Sequence, residues 1–465
     1  MENIVKFKNR ASKSQLVGFA GNNAATNALY ILLSAFFLVY ATTVYGYSPL
    51  LVGGLMTATR LLDAVTDPII GIMVDKTNTK LGRFRPWIIV GSILSNIMFL
   101  LLFSGIDLGS SGLNLAFLIT VYIVWVFGYT FQTSISKAGQ NVLTSDPKQR
   151  TSLNAISGIM TMVVYVTALT VFPKFMGANN EFAADPAAWL KLALVMVVIQ
   201  LIFTAAAVYG IWTKDVPENY NIGTVTEKPK AKDYIDLFKH NKALQMLIVA
   251  ASTNKIAYSM GGGMIVFFYA YVALNPALQS VVTPTSIIFM LLATIIALIY
   301  TNKVGRKKAF KNLSFFAMIY AVVAIVLIAI EPSNAIWLIL VLGINVFFQG
   351  STDLNVIPMI GDAADYENYQ RGRFIPGMIG TSFSLIDKIV SSLSTTLVGL
   401  LLTLLGYVSL TDTTPTPLLF WGILIVFFGV PGLGHLASVI AMKYYPITTE
   451  VLEKMHIELE ARKNK

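Results

Sequence analysis

Apolar residues in this chain run on for about twenty positions at a time, without the period of two or of three to four that half-buried strands and surface helices show. Twelve such stretches, at about 24–44, 48–74, 87–106, 113–141, 152–174, 187–212, 242–272, 282–301, 308–330, 335–358, 375–405 and 417–442, are long enough to cross a hydrocarbon core as helices. A transmembrane barrel is excluded, because its strands alternate and run only about 9–11 residues. The pattern predicts an all-α integral membrane protein, its spans interrupted here and there by Gly, Pro or a charge.

The polar segment 213–241 divides the spans six and six. The expected organisation is an N-terminal six-helix bundle over 1–212, a cytosolic linker over 213–241, a C-terminal six-helix bundle over 242–442 and a cytosolic tail over 443–465. A weak repeat supports two related halves. The loop after span two contains Gly82-Arg83-Phe84-Arg85-Pro86, and the loop after span eight contains Gly305-Arg306-Lys307-Lys308. Parallel repeats of this kind build the two pseudo-symmetric bundles of the twelve-helix major facilitator fold; a general preference for basic cytosolic loops explains the same residues less specifically. The polar run from Asp362 to Arg373 is expected to be a cytosolic gate or short helix.

Composition narrows the class. Only 12% of the 465 residues are charged and 55% are hydrophobic, against about 25% charged in soluble domains. There is no cysteine, which excludes thiol catalysis and disulfides, and His240, His435 and His456 form no metal-binding motif. The formal charge of +10 does not imply nucleic acid, because the basic residues gather in alternate loops. That asymmetry puts both termini in the cytosol. The first twenty residues are basic and weakly apolar, so span one is expected to direct membrane entry without a cleaved signal.

The informative residues are ionisable groups within spans, each costing about 2.5–3.5 kcal/mol at mid-bilayer unless partnered or hydrated. Span two carries Arg60, Asp63 and Asp67. The two aspartates stand four apart on one helix face, where they repel unless a cation or a proton lies between them. A small monovalent cation, Na⁺ or Li⁺, or a titrating proton fits; an Arg60–Asp63 ion pair is a purely structural alternative for part of the set. Lys137 and Gln140 on span four, Asn254 and Lys255 on span seven, Asp353 on span ten, and Ser384, Asp387 and Lys388 on span eleven add polar chemistry. At about 1.5 Å per residue, Asp63, Lys137, Asp353 and Lys255 fall roughly 13–20 Å in from their loops, near the middle of a core about 30 Å thick. A polar layer at one depth suits a transport cavity; separate structural ion pairs are the plainer explanation.

Leu62-Asp63-Ala64-Val65-Thr66-Asp67-Pro68, followed by Gly82-Arg83-Phe84-Arg85-Pro86, resembles the signature of the glycoside–pentoside–hexuronide:cation symporters. Thr144-Ser145-Asp146-Pro147-Lys148-Gln149-Arg150 and Ala364-Asp365-Tyr366-Glu367 with Lys388 are similar to further family segments, so the likeness covers nearly the whole chain. The resemblance implies alternating access in a major facilitator fold, with Asp63 and Asp67 as the cation site flanked by Thr130 and Thr133. Sodium-using relatives often hold an aspartate at the position of Thr133, so its absence leaves Na⁺ and H⁺ both open. Asn27 stands where melibiose-type members have a sugar-binding aspartate, Lys137 and Asp353 stand where they have aromatic rings, and Ser157 replaces an arginine. These departures imply a solute other than simple galactosides. An anionic sugar, a hexuronide or sulfonated sugar, held by Lys137 or Lys255 is one reading; a Lys137–Asp353 gate is the other.

The expected function is cation-coupled symport of a sugar or glycoside by a monomer in the cell membrane, with membrane lipid around it, no nucleic acid partner, and no cofactor beyond the coupling cation, Na⁺ or H⁺. A sugar uniporter and a lysolipid-type carrier are the alternatives within the superfamily. A membrane-embedded enzyme finds no nucleophile or acid–base pair to support it.

Overall fold

Several helices start where a short polar side chain accepts a hydrogen bond from an otherwise unpaired first-turn N–H. In the computed structural model, which describes residues 9–177, 180–220, 231–373 and 375–463, Ser12 caps α1 (Lys13–Val44) in a reciprocal box with Gln15. Ser48 precedes Pro49 at the head of α2 (Pro49–Lys76), where proline's fixed φ suits the first turn. After α3 (Arg85–Leu102), Ser110 opens α4 (Ser111–Leu143). α5 (Pro147–Met176) follows, and Asp185 caps α6 (Pro186–Ile211). These helices belong to one compact unit, Met1–Val225 with Val408–Thr413.

The second unit, Thr226–Tyr407 with Thr414–Lys465, opens with a short helix, α7 (Ala231–His240), inside the expected linker. It continues through α8 (Lys242–Phe267), α9 (Leu278–Val304), α10 (Arg306–Ile330), α11 (Ala335–Asp353), α12 (Val356–Arg371), α13 (Pro376–Leu404), α14 (Pro417–Leu424), α15 (Val430–Tyr444) and α16 (Thr449–Lys463). α8 runs into a π-helical turn at Phe268–Val272, and a second π turn at Ile425–Gly429 joins α14 to α15. Phe268 and Phe427 meet there with ring centroids 4.7 Å apart.

Among the described residues, ten helical stretches, counting α11–α12 and α14–α15 as one each, are long and apolar enough to cross a membrane. α2 and α8 have the length as well, but they carry Arg60, Asp63 and Asp67, and Asn254 and Lys255. The total is the twelve-helix major facilitator fold. α9 shows the lipid side plainly: Ile288, Leu291, Ile295 and Ile299 are each more than half exposed on one face, which suits hydrocarbon and not water.

One expected boundary is corrected. The first helix begins at Lys13, where Ser12 caps it, ahead of the apolar run from near 24; Asn22 within it is satisfied by the Gln132 carbonyl at 3.0 Å and the Ser136 hydroxyl at 2.8 Å. The run after Asp362, expected as a gate or short helix, is helical and forms the second part of the short α12, to Arg371. The break between α11 and α12 falls just before Pro358, which supplies no N–H and crowds the carbonyl four residues back. Lys228 and Lys230 lie outside the described residues, as do the side chains of Asp75, Lys137 and Lys148.

α7 is fastened to its own unit by charge. Asp236 pairs with Arg371 at 3.0 Å and Arg373 at 2.9 Å, and Glu367 meets Arg373 at 2.6 Å. The hydrogen bond from Arg371 holds the Asp236 carboxyl below the usual carboxylate range.

Candidate cation and solute site

The carboxylate expected to bind a cation sits inside the first unit. Asp63 is 5% exposed, in the middle of α2. Its Oδ1 lies 2.7 Å from the Thr130 hydroxyl on α4, and that hydroxyl is also 2.8 Å from the Val126 carbonyl. A hydroxyl has one proton and so serves one acceptor at a time. The Thr130 hydroxyl ties Asp63 on α2 to the backbone of its own helix, α4. Asp67, one turn on, is half-buried, and Thr133 is half-buried with its hydroxyl 3.4 Å from the Thr130 carbonyl.

α4 is held at this position by buried amides. Gln132 donates to Asn22 on α1 and to Thr204 on α6, and Gln200 on α6 donates to Gln132 at 3.1 Å. Ser92 and Asn96 on α3 complete the set by donating to Gln200 at 3.0 and 2.7 Å. Such satisfied networks fix the relative positions of helices in an apolar medium. The Gly91 and Gly128 backbones pack where α3 crosses α4: a Cβ at Gly128 would meet the Ser95 nitrogen at 2.7 Å.

Arg60, one turn before Asp63, lies with Cζ 4.4 Å from the Tyr30 ring centroid, a cation–π contact. Tyr30 adjoins Tyr129 at 5.7 Å, and Tyr129 stacks on Trp125 at 5.0 Å. The indole N–H of Trp125 has no hydrogen-bond partner among the described residues. Sequence reasoning missed this group of rings, although Trp125 and Tyr129 stand four apart on the helix that also bears Thr130. Asn27, on the same unit, donates to the Asn23 carbonyl at 2.8 Å, and Gln140 donates to Asn154 at 2.8 Å.

The second unit carries the other candidates. Lys255 on α8 and Asp353 at the end of α11 are both exposed by surface, and Asp353 feels the charges of Lys255 and Asp387. Two charges in spans disfavour a lipid-facing position. The influence of Lys255 on Asp353 was not apparent from the sequence, since nothing in either helix alone brings them near each other. Tyr258, one turn after Lys255, is hydrogen-bonded to Gln349. Both side-chain amide atoms of Asn254 lack a partner among the described residues, a polar group in need of a ligand. Ser384, Asp387 and Lys388 on α13 are half-buried. The side chain of Lys137 lies outside the described ones, so its solute and gate readings both stand as before.

Thr130→Val keeps the shape of the site and removes the hydroxyl beside Asp63. We expect apparent cation affinity in uptake assays to fall about 5–20-fold, the equivalent of roughly 1–2 kcal/mol for a hydrogen bond to a charged group, with expression unchanged. An unaltered cation titration would detach Thr130 from the site.

Two units of six membrane-crossing helices, with ionisable groups within the spans, are the architecture of a major facilitator carrier. The chain belongs to the MFS/sugar transport protein family, whose model matches residues 18–449; it is a sugar or glycoside transporter of the major facilitator superfamily. It is 25% identical, over 99% of its length and 96% of the other's, to a Bacillus subtilis (strain 168) protein named uncharacterized symporter YnaJ. It is 24% identical over 86% of its length to the lactose permease of Leuconostoc lactis, of which it spans 64%. Its fold matches the crystal structure of the nucleoside transporter NupG with a TM-score of 0.58, covering 94% of this chain and 100% of that one at 12% identity.

Proposed function

We propose that the protein is a cation-coupled symporter, driven by Na⁺ or H⁺, that moves a sugar or glycoside across the cell membrane by alternating access, with both termini in the cytosol. The reading rests on the buried Asp63 carboxylate against the Thr130 hydroxyl at 2.7 Å. A carboxylate in a span is costly and suits a cation site, and Arg60, which feels the Asp63 charge one turn away, offsets part of it. Asp63 and Asp67 hold the ion, with Thr130 and Thr133 beside it. Asn27, Arg60, Lys137 and Gln140 in the first unit and Asn254, Lys255, Asp353, Ser384 and Lys388 in the second contact the solute. Lysines 137, 255 and 388 suit an anionic sugar, a hexuronide or sulfonated sugar, while the faces of Tyr30 and Tyr129 suit the apolar side of a pyranose. The two bundles meet the linker near 212 and 241, the tail begins near 443, and the monomer is the working unit.

Proteoliposomes test this. A panel of radiolabelled glycosides and uronides is offered with an imposed Na⁺ gradient, a proton gradient, or neither. Accumulation above the external concentration, only with one gradient, is the expected result. Equilibration at the same level under all three conditions indicates a uniporter, and transfer of lysolipid without sugar uptake indicates a lipid carrier; either outcome overturns the proposal.

A further inference from the structure

The two Gly-Arg turns are closed by different chemistry. In the first unit, Gly82 has φ +92° and a Cβ there would lie 2.3 Å from Asp215 Oδ2. The Asp215 carboxylate accepts the backbone N–H groups of Arg83, Phe84 and Arg85 at 2.9–3.0 Å. An acidic side chain from beyond the sixth span thus satisfies the start of the third.

In the second unit, Gly305 has φ +83° and leads directly into α10. A Cβ there would meet Thr449 Oγ1 at 2.4 Å. No side chain caps this helix, so the first-turn N–H groups of Arg306, Lys307 and Lys308 lack intrahelical acceptors. Beside them is a cavity of about 210 Å³ lined by Arg306, Lys307, Asp362, Tyr445, Thr448 and Thr449, among others. Asp362 does not play the part of Asp215: it pairs with Arg306 Nη1 at 2.5 Å. Lys307 Nζ donates to the Tyr445 carbonyl at 2.5 Å, which leaves ammonium protons to spare. Tyr445 is 2% exposed, and its hydroxyl has no partner among the described residues. Burial and the nearby Asp362 push that phenol up, so it stays a neutral donor. Arg306, Lys307 and Lys308 against Asp362 and Glu450, which feels both lysines, leave the site and its rim one charge positive.

We propose that this cavity binds a phosphate group of about one negative charge, carried by an anionic phospholipid or by a free phosphate compound. The first-turn N–H groups of α10, Lys307, the Tyr445 hydroxyl and Thr449 supply the donors. The phosphate does for the second unit what the Asp215 carboxylate does for the first. The inference is independent of the transported solute.

The test uses the full-length protein in detergent without added phospholipid. Thermal unfolding is followed against inorganic phosphate, with chloride at matched ionic strength as control, and against phosphatidylglycerol, with monoacylglycerol as control. Ligands that bind the folded state raise the midpoint by mass action. A rise with phosphate alone identifies a soluble ligand and a rise with phosphatidylglycerol alone identifies a headgroup; either supports the site. Tyr445→Phe should weaken the apparent affinity about fivefold and Lys307→Gln about tenfold or more. If Lys307→Gln does not fold, Thr449→Val takes its place beside Tyr445→Phe. No midpoint rise with either ligand, or equal rises in wild type and variants, overturns the proposal.

Discussion

Asp63→Asn should reduce cation-driven uptake at least 100-fold while leaving the protein inserted and folded. Asparagine keeps the side-chain shape and an oxygen for Thr130, which lies 2.7 Å from the carboxylate. It cannot balance a bound cation. Removing one member of a buried charge pair costs about 3–5 kcal/mol, and each 1.4 kcal/mol is about tenfold in affinity. Thermal stability without cation should hold or rise, because a neutral amide is easier to bury than a carboxylate. The pair of readouts separates loss of function from loss of fold. Asp67→Asn should be damaging but milder, since Asp67 is only half-buried. Wild-type uptake in Asp63→Asn, with an unchanged cation titration, would remove the carboxylate from the mechanism.

Asp215→Ala should be the most destabilising single change in the first unit. Its carboxylate accepts three backbone N–H groups, the Tyr220 hydroxyl at 2.8 Å and the Arg85 Nε at 3.4 Å. Burial and the adjoining carboxylate push the Tyr220 phenol up to about 12, so Tyr220 remains a donor at physiological pH. Truncation leaves these donors and a buried arginine uncompensated. The expected loss is about 3–5 kcal/mol, read as a lower melting temperature and a lower yield of monodisperse protein. Asp215→Asn should fall between, because an amide presents one acceptor and turns a donor towards the N–H groups. Melting of Asp215→Ala at the wild-type temperature would show that the turn is held elsewhere.

Much of the architecture was legible because the bilayer imposes it: a helix must be long and apolar, and loops must be polar and asymmetric in charge. The errors arose where polarity inside a span is satisfied by another span. The apolar run of span one was read from near 24, and the polar Asn22 ahead of it is taken up inside the bundle by Gln132 and Ser136, more than a hundred residues away. The aspartates of α2 were legible because i,i+4 spacing fixes their face within one helix. Lys255 and Asp353, like Arg60 and Tyr30, come near each other from different helices, and no local spacing encodes such proximity. Asp215 was hidden for a related reason: in the sequence it is one more polar residue after the sixth span, while in space it anchors the Gly-Arg turn. That turn had been read through its charges. Its glycine, held at φ +92° against a carboxylate, explains the motif better.

The π turns at Phe268–Val272 and Ile425–Gly429 bear on which length changes the chain can absorb. Each holds one residue more than an α-helical turn would. Deleting a residue elsewhere in a span rotates everything beyond it by about 100° and draws it back by about 1.5 Å, turning lipid-facing side chains inward. Deleting one within a π turn lets the ordinary hydrogen-bond ladder close over the gap, with the flanking faces kept in phase. The turn at Ile425–Gly429, with helix on both sides, is therefore where a single-residue deletion in the second bundle is absorbed with the flanking faces kept, while the turn at Phe268–Val272 ends its helix and has no face beyond it to rotate.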